Sequence, residues 1–310
     1  MTTSNTIYII GAGAVGKALA VFLNLQQQKV IMLRGHVDNI PEKDEIITVE
    51  LNDGTSLNAA IKISSFSNYQ TLDGIIVLTN KSYGNRQLAE KLSNKTGNSP
   101  LVILQNGLNI EQPFLEAGFK HLYRCVLFTS CQQAAANTVQ FKPVNVSRLG
   151  IVSGNETVLT AITVQLNNPY LQFSAVDDIQ PVIWTKAIVN SVFNSVCPLL
   201  ETDNGIFTRN VTALNMAQRV ITECVSIATA KGIFLQISNI MDTLLMISRS
   251  SSGQLISTYQ DILNKRETEI ETLNFAFVHI AEQLKLPAAV AETRLLGELV
   301  QLKSAISRAL

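Results

Sequence analysis

The sequence predicts an α/β domain followed by an all-helical domain, and three observations support this fold class. Short apolar runs alternate with helical patterns in the first half of the chain, as in a mainly parallel sheet with crossover helices. From about residue 178 the apolar residues recur instead at helical spacing. The length of 310 residues suits two domains, which we place at residues 1–176 and 177–310.

The first strand, Thr6–Ile10, runs into a glycine-rich turn and then a helix. The turn consists of Gly11, Ala12, Gly13, Ala14, Val15 and Gly16. In a Gly-x-Gly-x-x-Gly turn the three glycines permit a tight turn, close approach to a pyrophosphate and close helix–strand packing. The amides of the following helix then face the negative charge. We therefore expect a Rossmann-type dinucleotide-binding domain. The alternative is an ordinary strand–turn–helix of another α/β protein.

Further elements follow in the same alternating order. They are a strand at Val30–Leu33, a hairpin of Ile46–Leu51 and Ser56–Ile63 around Asp53-Gly54, a strand at Asp73–Thr79, a helix at about Asn85–Leu92 and a strand at Leu101–Leu104. Right-handed crossovers would align the strand ends Gly11, Arg34, Thr79 and Gln105 along one edge, where such sheets bind ligands. In the second half, helices begin after Asp177-Asp178 and are interrupted near Gly205, Gly232, Gly253 and Pro287.

Composition argues against several classes of protein. The formal net charge is zero, so neither a nucleic acid nor an acidic membrane surface is expected as a partner. The cysteines form no Cys-x-x-Cys pair and accompany no histidine cluster, so we predict no metal site and no disulfide framework. They are Cys125, Cys131, Cys197 and Cys224. No signal peptide and no membrane-spanning run is evident, and we expect a cytoplasmic protein.

The residue after the second strand bears on the choice between NAD and NADP. An NAD site usually has an acid there, which binds the ribose 2′-hydroxyl. Here the strand ends in Arg34, and the nearest acid is Asp38. A guanidinium suits a 2′-phosphate, because it can form charge-assisted, bidentate hydrogen bonds. We predict NADP(H) as the cofactor. The alternative is a solvated surface arginine.

A polar stripe runs along an otherwise apolar helix predicted at Val182–Val196. Lys186, Asn190 and Asn194 recur every fourth residue, which places them on one stripe about 80° wide. Polar groups on a buried helix are costly unless they are paired, so the stripe is predicted to line a polar ligand cleft. The alternative is a chance exposed stripe. A lysine there can donate a proton to a carbonyl oxygen that gains charge during hydride addition.

With these motifs in order, the chain resembles the ketopantoate reductase (2-dehydropantoate 2-reductase) family over essentially its whole length. The matching features are the glycine loop, Arg34, Lys81, Gln105-Asn106-Gly107, Trp184-x-Lys186-x-x-x-Asn190-x-x-x-Asn194, Asn204-Gly205, Ser257–Asp261 and Arg266–Ile270. The resemblance implies an active site in the cleft between the two domains.

The resemblance also implies residue roles. Lys186 would be the general acid, and Glu269 would face the reacting centre and orient the lysine or the cofactor ribose. Lys81 would contact the nicotinamide ribose, and Asn106 would lie between nicotinamide and substrate. The substrate carboxylate and hydroxyl would be held by Asn190, Asn194, Asn204 and Ser257. The backbone of Cys131 falls near a family position that touches the cofactor.

Glu269 also has an alternative interpretation. Lys265, Arg266, Glu267, Glu269 and Glu271 could form i,i+3 and i,i+4 pairs on a solvated helix face.

The resemblance implies NADPH-dependent reduction of 2-dehydropantoate to (R)-pantoate, for pantothenate and coenzyme A synthesis. The only partner expected is a small-molecule 2-oxo acid, and a homodimer is compatible with the sequence. Departures from the family pattern at Asn109, Ser195 and Thr258–Tyr259 concern the substrate side. The alternatives are therefore a reductase of another 2-oxo acid, an opine-type dehydrogenase, and a non-catalytic NADPH-binding sensor.

Overall fold

The computed structural model describes residues 6–35, 38–39 and 41–309. These residues form two compact units. The first comprises the chain up to Gln105 together with Ile110–Ile179, and the second comprises Asn106–Asn109 together with the chain from Gln180 onward. The first unit is a mixed α/β sheet unit and the second is helical, which confirms the predicted fold class.

The first unit is built on an eleven-stranded sheet of order β11-β10-β7-β6-β5-β1-β2-β4-β3-β9-β8. Its strands are β1 Thr6–Ile10, β2 Lys29–Arg34, β3 Lys43–Leu51, β4 Ser56–Ser65, β5 Ile75–Leu78, β6 Leu101–Ile103, β7 Leu122–Val126, β8 Thr129–Ala135, β9 Thr138–Pro143, β10 Ser147–Ser153 and β11 Phe173–Ala175. Its helices are α1 Ala14–Leu25, α2 Asn85–Ser93, α3 Gln112–Glu116 and α4 Glu156–Leu166.

The centre of the sheet is parallel, from β4 through β2, β1, β5 and β6 to β7. Every residue of β1 and of β5 is buried, because both faces of a parallel sheet are covered and its strands are accordingly apolar throughout. The α1 helix packs on one face with Ile9 and Met32. The α2 residue Leu88 packs on the other face with Ile10.

The outer strands are partly antiparallel. The predicted hairpin forms as β3 and β4, with Glu50 opposite Ser56 and Gly54 at a φ of +87° in the turn. Five strands, β7 to β11, and helix α4 fall between residues 122 and 175, a segment for which the sequence indicated no elements. These strands are short and contain both polar and apolar residues. Neither a long apolar run nor a clear alternation of polar and apolar residues therefore predicted them.

The second unit consists of α-helices joined by short turns. They are α5 Gln180–Leu199, α6 Ile206–Arg209, α7 Val211–Ala230, α8 Ile237–Ser250, α9 Ser257–Leu263, α10 Asn274–Gln283 and α11 Ala291–Ala309. Helix α5 packs against α7, α8, α9 and α11, and its residues from Ser191 to Pro198 are all buried. Among the helices of the described ranges, none is long and apolar enough to cross a membrane.

Candidate active site

The glycine-rich turn lies at the carboxyl edge of the parallel strands. Gly11 has a φ of +121°, and its carbonyl accepts a hydrogen bond of 2.9 Å from the Thr79 hydroxyl. A Cβ on Gly11 would lie 2.5 Å from the amide nitrogen of Asn80, and a Cβ on Gly16 would lie 2.1 Å from the carbonyl oxygen of Gly11. Both positions therefore need glycine so that the turn, the helix and β5 can pack together.

Gly13 differs from the other two glycines. A Cβ built there meets no protein atom within 4 Å, so the space above this residue is open. Helix α1 begins directly after it, without a side-chain cap and without an acid in its first turn. An uncapped helix N-terminus presents free amides to an anion. Nearby, Asn80 Oδ1 is buried without a hydrogen-bond partner. These features fit a bound dinucleotide.

A buried pair of amides fixes the turn that carries Lys81. The side chains of Asn85 and Gln105 exchange two hydrogen bonds of 2.8 Å, and Gln105 Nε2 also donates to the Asn80 carbonyl. Asn80 Nδ2 donates in turn to the carbonyl of Lys81 at 2.9 Å. Half-buried Lys81 is thereby held at the same sheet edge as the glycine turn.

A pocket of about 130 Å³ that was not predicted from the sequence opens beside this edge. Its lining residues are Ile10, Gly35, Asn80, Gly84, Gln87, Leu88 and Lys91. The signal was present in the sequence, because Gly84, Gln87 and Lys91 recur at the spacing of one helix face. Lys91 lies 3.6 Å from the carboxylate of Asp38.

Arg34 ends β2 next to this pocket. Its Nη2 atom lies 3.8 Å from Glu45 Oε1, and 41% of its side chain is exposed. Its Nε atom is buried and has no hydrogen-bond partner. The exposed part of the guanidinium can therefore meet an acceptor that approaches from the open side.

The polar stripe of α5 divides into two parts. Lys186 and Asn190 are half-buried, whereas Asn194 is only 2% exposed. Asn194 Oδ1 accepts hydrogen bonds of 3.2 Å from the Ser257 hydroxyl and the Thr258 amide. Asn194 therefore satisfies the N-terminus of α9 and sets the position of Ser257, while Asn190 lies one turn away on α5 and Lys186 two turns away.

Asn204 lies in the turn between α5 and α6. Its amide donates to the carbonyl of Gln254 at 2.9 Å, and its carbonyl accepts from the Ser248 hydroxyl at 2.7 Å. Both of these hydrogen bonds involve the backbone of Asn204. The Oδ1 atom of its side chain is buried without a hydrogen-bond partner. A buried amide oxygen in this state is ready to accept a hydrogen bond from a ligand hydroxyl.

Asp203 fixes the same turn and was not identified from the sequence. Its carboxylate accepts from the amides of Gly205 at 2.7 Å and Gly253 at 2.9 Å. Arg209 donates to both carboxylate oxygens, at 3.1 and 2.7 Å. The bonds from Arg209 and from the two amides hold the pKa of the Asp203 carboxyl well below its ordinary value.

The Glu269 segment is not a solvated helix, so the alternative interpretation of Glu269 is wrong. Helix α9 ends at Leu263, and the chain turns at Lys265, whose φ is +54°. Half-buried Glu269 instead precedes a short 3-10 helix, Ile270–Thr272. This short helix packs against α5, the helix that carries Lys186.

Asn106 belongs to the same part of the second unit. The next residues are held to Thr272, since the Leu108 amide donates to the Thr272 carbonyl at 2.9 Å. Gly107 has a φ of +111°, and a Cβ there would lie 2.6 Å from Thr272 Cβ. Thr272 in turn donates to the Glu269 carbonyl through its amide and its hydroxyl. Asn106 and Glu269 are thus tied to one short helix.

Burial disfavours the thiolate form of two cysteines. Cys131 lies on β8, and burial raises the pKa of its thiol to about 12; burial raises the pKa of the Cys197 thiol to about 12 as well. Only a thiolate is strongly nucleophilic. Within the described part of the chain, no cluster of His, Cys, Asp or Glu side chains could hold a metal ion.

Two family models match the chain. The model described as "Ketopantoate reductase PanE/ApbA" matches residues 7–151, and "Ketopantoate reductase PanE/ApbA C terminal" matches residues 178–303. Among curated relatives, the 2-dehydropantoate 2-reductase of Pyrococcus abyssi is 27% identical, over 91% of this chain and 93% of the relative. That of Streptococcus pyogenes serotype M1 is 26% identical, over 97% and 98%.

Solved structures share the fold at low sequence identity. A ternary complex of D-mandelate dehydrogenase with NADH and anilino(oxo)acetate superposes with a TM-score of 0.86 at 22% identity, covering 97% of this chain and 99% of that one. A structure described as dimeric ketopantoate reductase from Staphylococcus aureus gives 0.81 at 17% identity, with the same coverage.

Proposed function

The chain belongs to the ketopantoate reductase family, and on that premise we propose that it reduces 2-dehydropantoate to (R)-pantoate with NADPH. The observation that carries the proposal is the composition of α5. Half-buried Lys186 and Asn190 interrupt a helix that is otherwise mostly buried, and the helix packs against the short helix that follows Glu269. A proton donor, amides and a carboxylate are what carbonyl reduction of an acid requires.

The first unit carries the residues proposed for the dinucleotide. When bound, a reduced nicotinamide supplies the hydride. The open space over Gly13 and the uncapped start of α1 suit the pyrophosphate. Arg34 would bind the 2′-phosphate, because 41% of its side chain is exposed and its contact with Glu45 is a long one, 3.8 Å. Lys81 would hold the nicotinamide ribose, and the pocket beside Gly35 suits the adenine.

The second unit carries the residues proposed for the 2-oxo acid. Lys186 would donate a proton to the carbonyl oxygen as that oxygen gains charge, and Glu269 would orient the ammonium group. Asn190 and Ser257 would hold the carboxylate. The unpartnered Oδ1 of Asn204 would accept a substrate hydroxyl, and Asn106 would contact both substrate and nicotinamide. Asn194 would act through its bond to Ser257.

The test is NADPH oxidation with 2-dehydropantoate by the wild type and by Lys186→Ala. A general acid contributes about 10²- to 10⁴-fold in rate, so the variant should lose that factor in kcat and keep its affinity for NADPH. Lys231→Ala is the matched control, since Lys231 is an exposed lysine of the same unit, and it should retain full activity. No turnover at millimolar substrate would refute 2-dehydropantoate as the substrate.

The same assay separates the alternative functions. A panel of 2-oxo acids, each with and without an amine, distinguishes another 2-oxo acid reductase from an opine-type dehydrogenase. NADPH binding without turnover of any acid would indicate a sensor. A role in pantothenate and coenzyme A synthesis predicts that the gene rescues growth of a pantoate-requiring strain without added pantoate.

We further propose that the enzyme is a homodimer, as the Staphylococcus aureus relative is described to be. Helix α11 presents an exposed apolar row at heptad-like spacing of four, three and four residues. The row consists of Leu295, Leu299, Leu302 and Ile306, which are 42% to 58% exposed. If two α11 helices pack antiparallel about a two-fold axis that passes between Val300 and Gln301, Leu299 of one copy would face Leu302 of the other. Glu298 of one copy would then face Lys303 of the other.

A further inference from the structure

Four charged side chains cluster on the α1 face of the sheet, next to the proposed 2′-phosphate position. They are Lys17 on α1, Arg34 at the end of β2, and Lys43 and Glu45 on β3. Side chains two residues apart on a strand share a face. Met32 and Ile47, two residues from Arg34 and Glu45 respectively, belong to the core cluster that packs against α1.

The Glu45 carboxylate lies at the centre of this cluster. Its Oε1 atom is 2.6 Å from Lys43 Nζ and 3.8 Å from Arg34 Nη2. Only 14% of its side chain is exposed, against 55% for Lys43, and the Asn137 side chain donates to the same carboxylate. The hydrogen bond from Lys43 holds the pKa of Glu45 below its ordinary value, so this carboxylate is charged at neutral pH.

Lys17 adds a third cation at the edge of the cluster. It is 8% exposed, and its Nζ atom donates to the carbonyl of Ala136 in the β8–β9 turn. Burial lowers the pKa of Lys17, and the charge of Arg34 lowers it further, whereas the charge of Glu45 raises it.

Three cations and one carboxylate leave an excess of positive charge that an adenosine without a phosphate would not neutralise. A phosphomonoester carries about −1.5 to −2 at pH 7, which matches this excess. Glu45 opposes such a ligand, because it repels a phosphate bound to Arg34 and retains Lys43 in a close ion pair. The cluster therefore binds a 2′-phosphate less selectively than the same three cations would without Glu45.

We propose that Glu45 is a coenzyme-specificity residue, whose carboxylate weakens binding of the 2′-phosphate and so narrows the preference for NADPH over NADH. This proposal rests on the proposed function only in placing the 2′-phosphate at Arg34. It predicts that the wild type uses NADH as a second, poorer cofactor.

The test measures binding of adenosine nucleotides to the full chain by calorimetry, without any reaction. The ligands are 2′,5′-ADP and 5′-AMP, which differ only in the 2′-phosphate. Glu45→Gln keeps the size of the side chain and removes its charge. The variant should bind 2′,5′-ADP roughly five- to tenfold more tightly, which is the effect expected from one charge near a partly exposed site. Its affinity for 5′-AMP should be unchanged. In an Arg34→Ala background this gain should largely disappear.

Glu50→Gln is the control, because Glu50 is an exposed carboxylate on the same strand, and it should alter neither affinity. Unchanged or weaker 2′,5′-ADP binding by Glu45→Gln would overturn the proposal, and so would an equal gain for both nucleotides. The wild-type ratio of the two affinities tests the NADP assignment separately. A wild type that prefers 5′-AMP would refute NADP, while the effect of Glu45→Gln would still decide the role of Glu45.

Discussion

At the scale of single residues, the asparagines of α5 have different surroundings although their spacing is uniform. Asn194 is buried, and its Oδ1 atom joins α5 to the start of α9 through two hydrogen bonds, while its Nδ2 atom donates to the Asn190 carbonyl within α5. Asn190, one turn earlier, is half-buried. The resemblance assigned substrate binding to both. The contacts of Asn194 instead favour an indirect role, in which it fixes Ser257.

We expect Asn194→Ala to destabilise the protein and to weaken substrate binding together. The substitution leaves the Thr258 amide and the Ser257 hydroxyl without their acceptor, which costs about 1–3 kcal/mol in free energy of unfolding. Urea denaturation of the unliganded protein measures this loss. Asn190→Ala is the control and should change the unfolding free energy by less than about 1 kcal/mol. If the urea unfolding curves of the wild type and Asn194→Ala had equal midpoints and slopes, Asn194 would not stabilise the contact between α5 and α9.

The glycine turn offers a second prediction at this scale. Gly13 has extended dihedral angles, φ −77° and ψ −179°, and open space around its Cβ position, so Gly13→Ala should fold with an unchanged Tm. Its methyl group would occupy the space proposed for the pyrophosphate, and NADP⁺ binding should weaken at least about tenfold, or 1.4 kcal/mol. Gly16→Ala should lower the Tm instead, because its Cβ would overlap the Gly11 carbonyl. Unimpaired NADP⁺ binding by folded Gly13→Ala would refute the assignment of this turn.

At the scale of elements, the turn between α5 and α6 is organised by one carboxylate. Asp203 joins the start of α6 to the turn before α9, because it binds the amides of Gly205 and Gly253 as well as Arg209. Asn204 is the next residue, so the same bonds set its position. A charged carboxylate that accepts hydrogen bonds from three residues can hold such a turn in place.

Asp203→Asn should lower stability in a pH-dependent way. The pKa of Asp203 is lower in the folded protein than its ordinary value, so the folded state binds its proton less readily than the unfolded state. The stabilisation is therefore complete above about pH 5 and declines as the pH falls below about 4. The variant should be less stable than the wild type by about 2 kcal/mol at pH 7, and this difference should shrink towards pH 3. Urea denaturation across this range measures it, with Asp242→Asn, an exposed carboxylate of α8, as the control; a constant difference would contradict the assignment.

Local patterns predicted the elements that depend on neighbouring residues. The glycine turn, the β3–β4 hairpin and α5 were all evident, because periodicity and turn residues are short-range signals. Glu45 and Asp203 were not identified, since some of their partners, such as Arg34 and Gly253, lie on other elements. Charge spacing alone suggested a helix near Glu269. The positive φ of Lys265 ends that helical register, and spacing cannot reveal it.

At the scale of the whole molecule, the candidate residues divide between the two units. The sheet unit carries the glycine turn, Arg34 and Lys81, and the helical unit carries Lys186, Glu269 and the amides proposed for the acid. The segment Asn106–Asn109 follows β6 in the chain and belongs to the second unit. The proposed reaction requires both units, so neither alone should turn over substrate.

The last prediction concerns the association of two whole chains through α11. Each chain has a mass of 33.9 kDa, and sedimentation of the wild type should give twice that value at micromolar concentration. Leu299→Glu with Leu302→Glu places charges in the apolar row, where burial without a partner is unfavourable by several kcal/mol, and should give a monomer with unchanged helix content. Phe234→Glu is the matched control, since Phe234 is an 81% exposed apolar residue outside α11, and it should remain dimeric. A wild type that sediments as a monomer, or a double variant that stays dimeric, would exclude this helix as the interface.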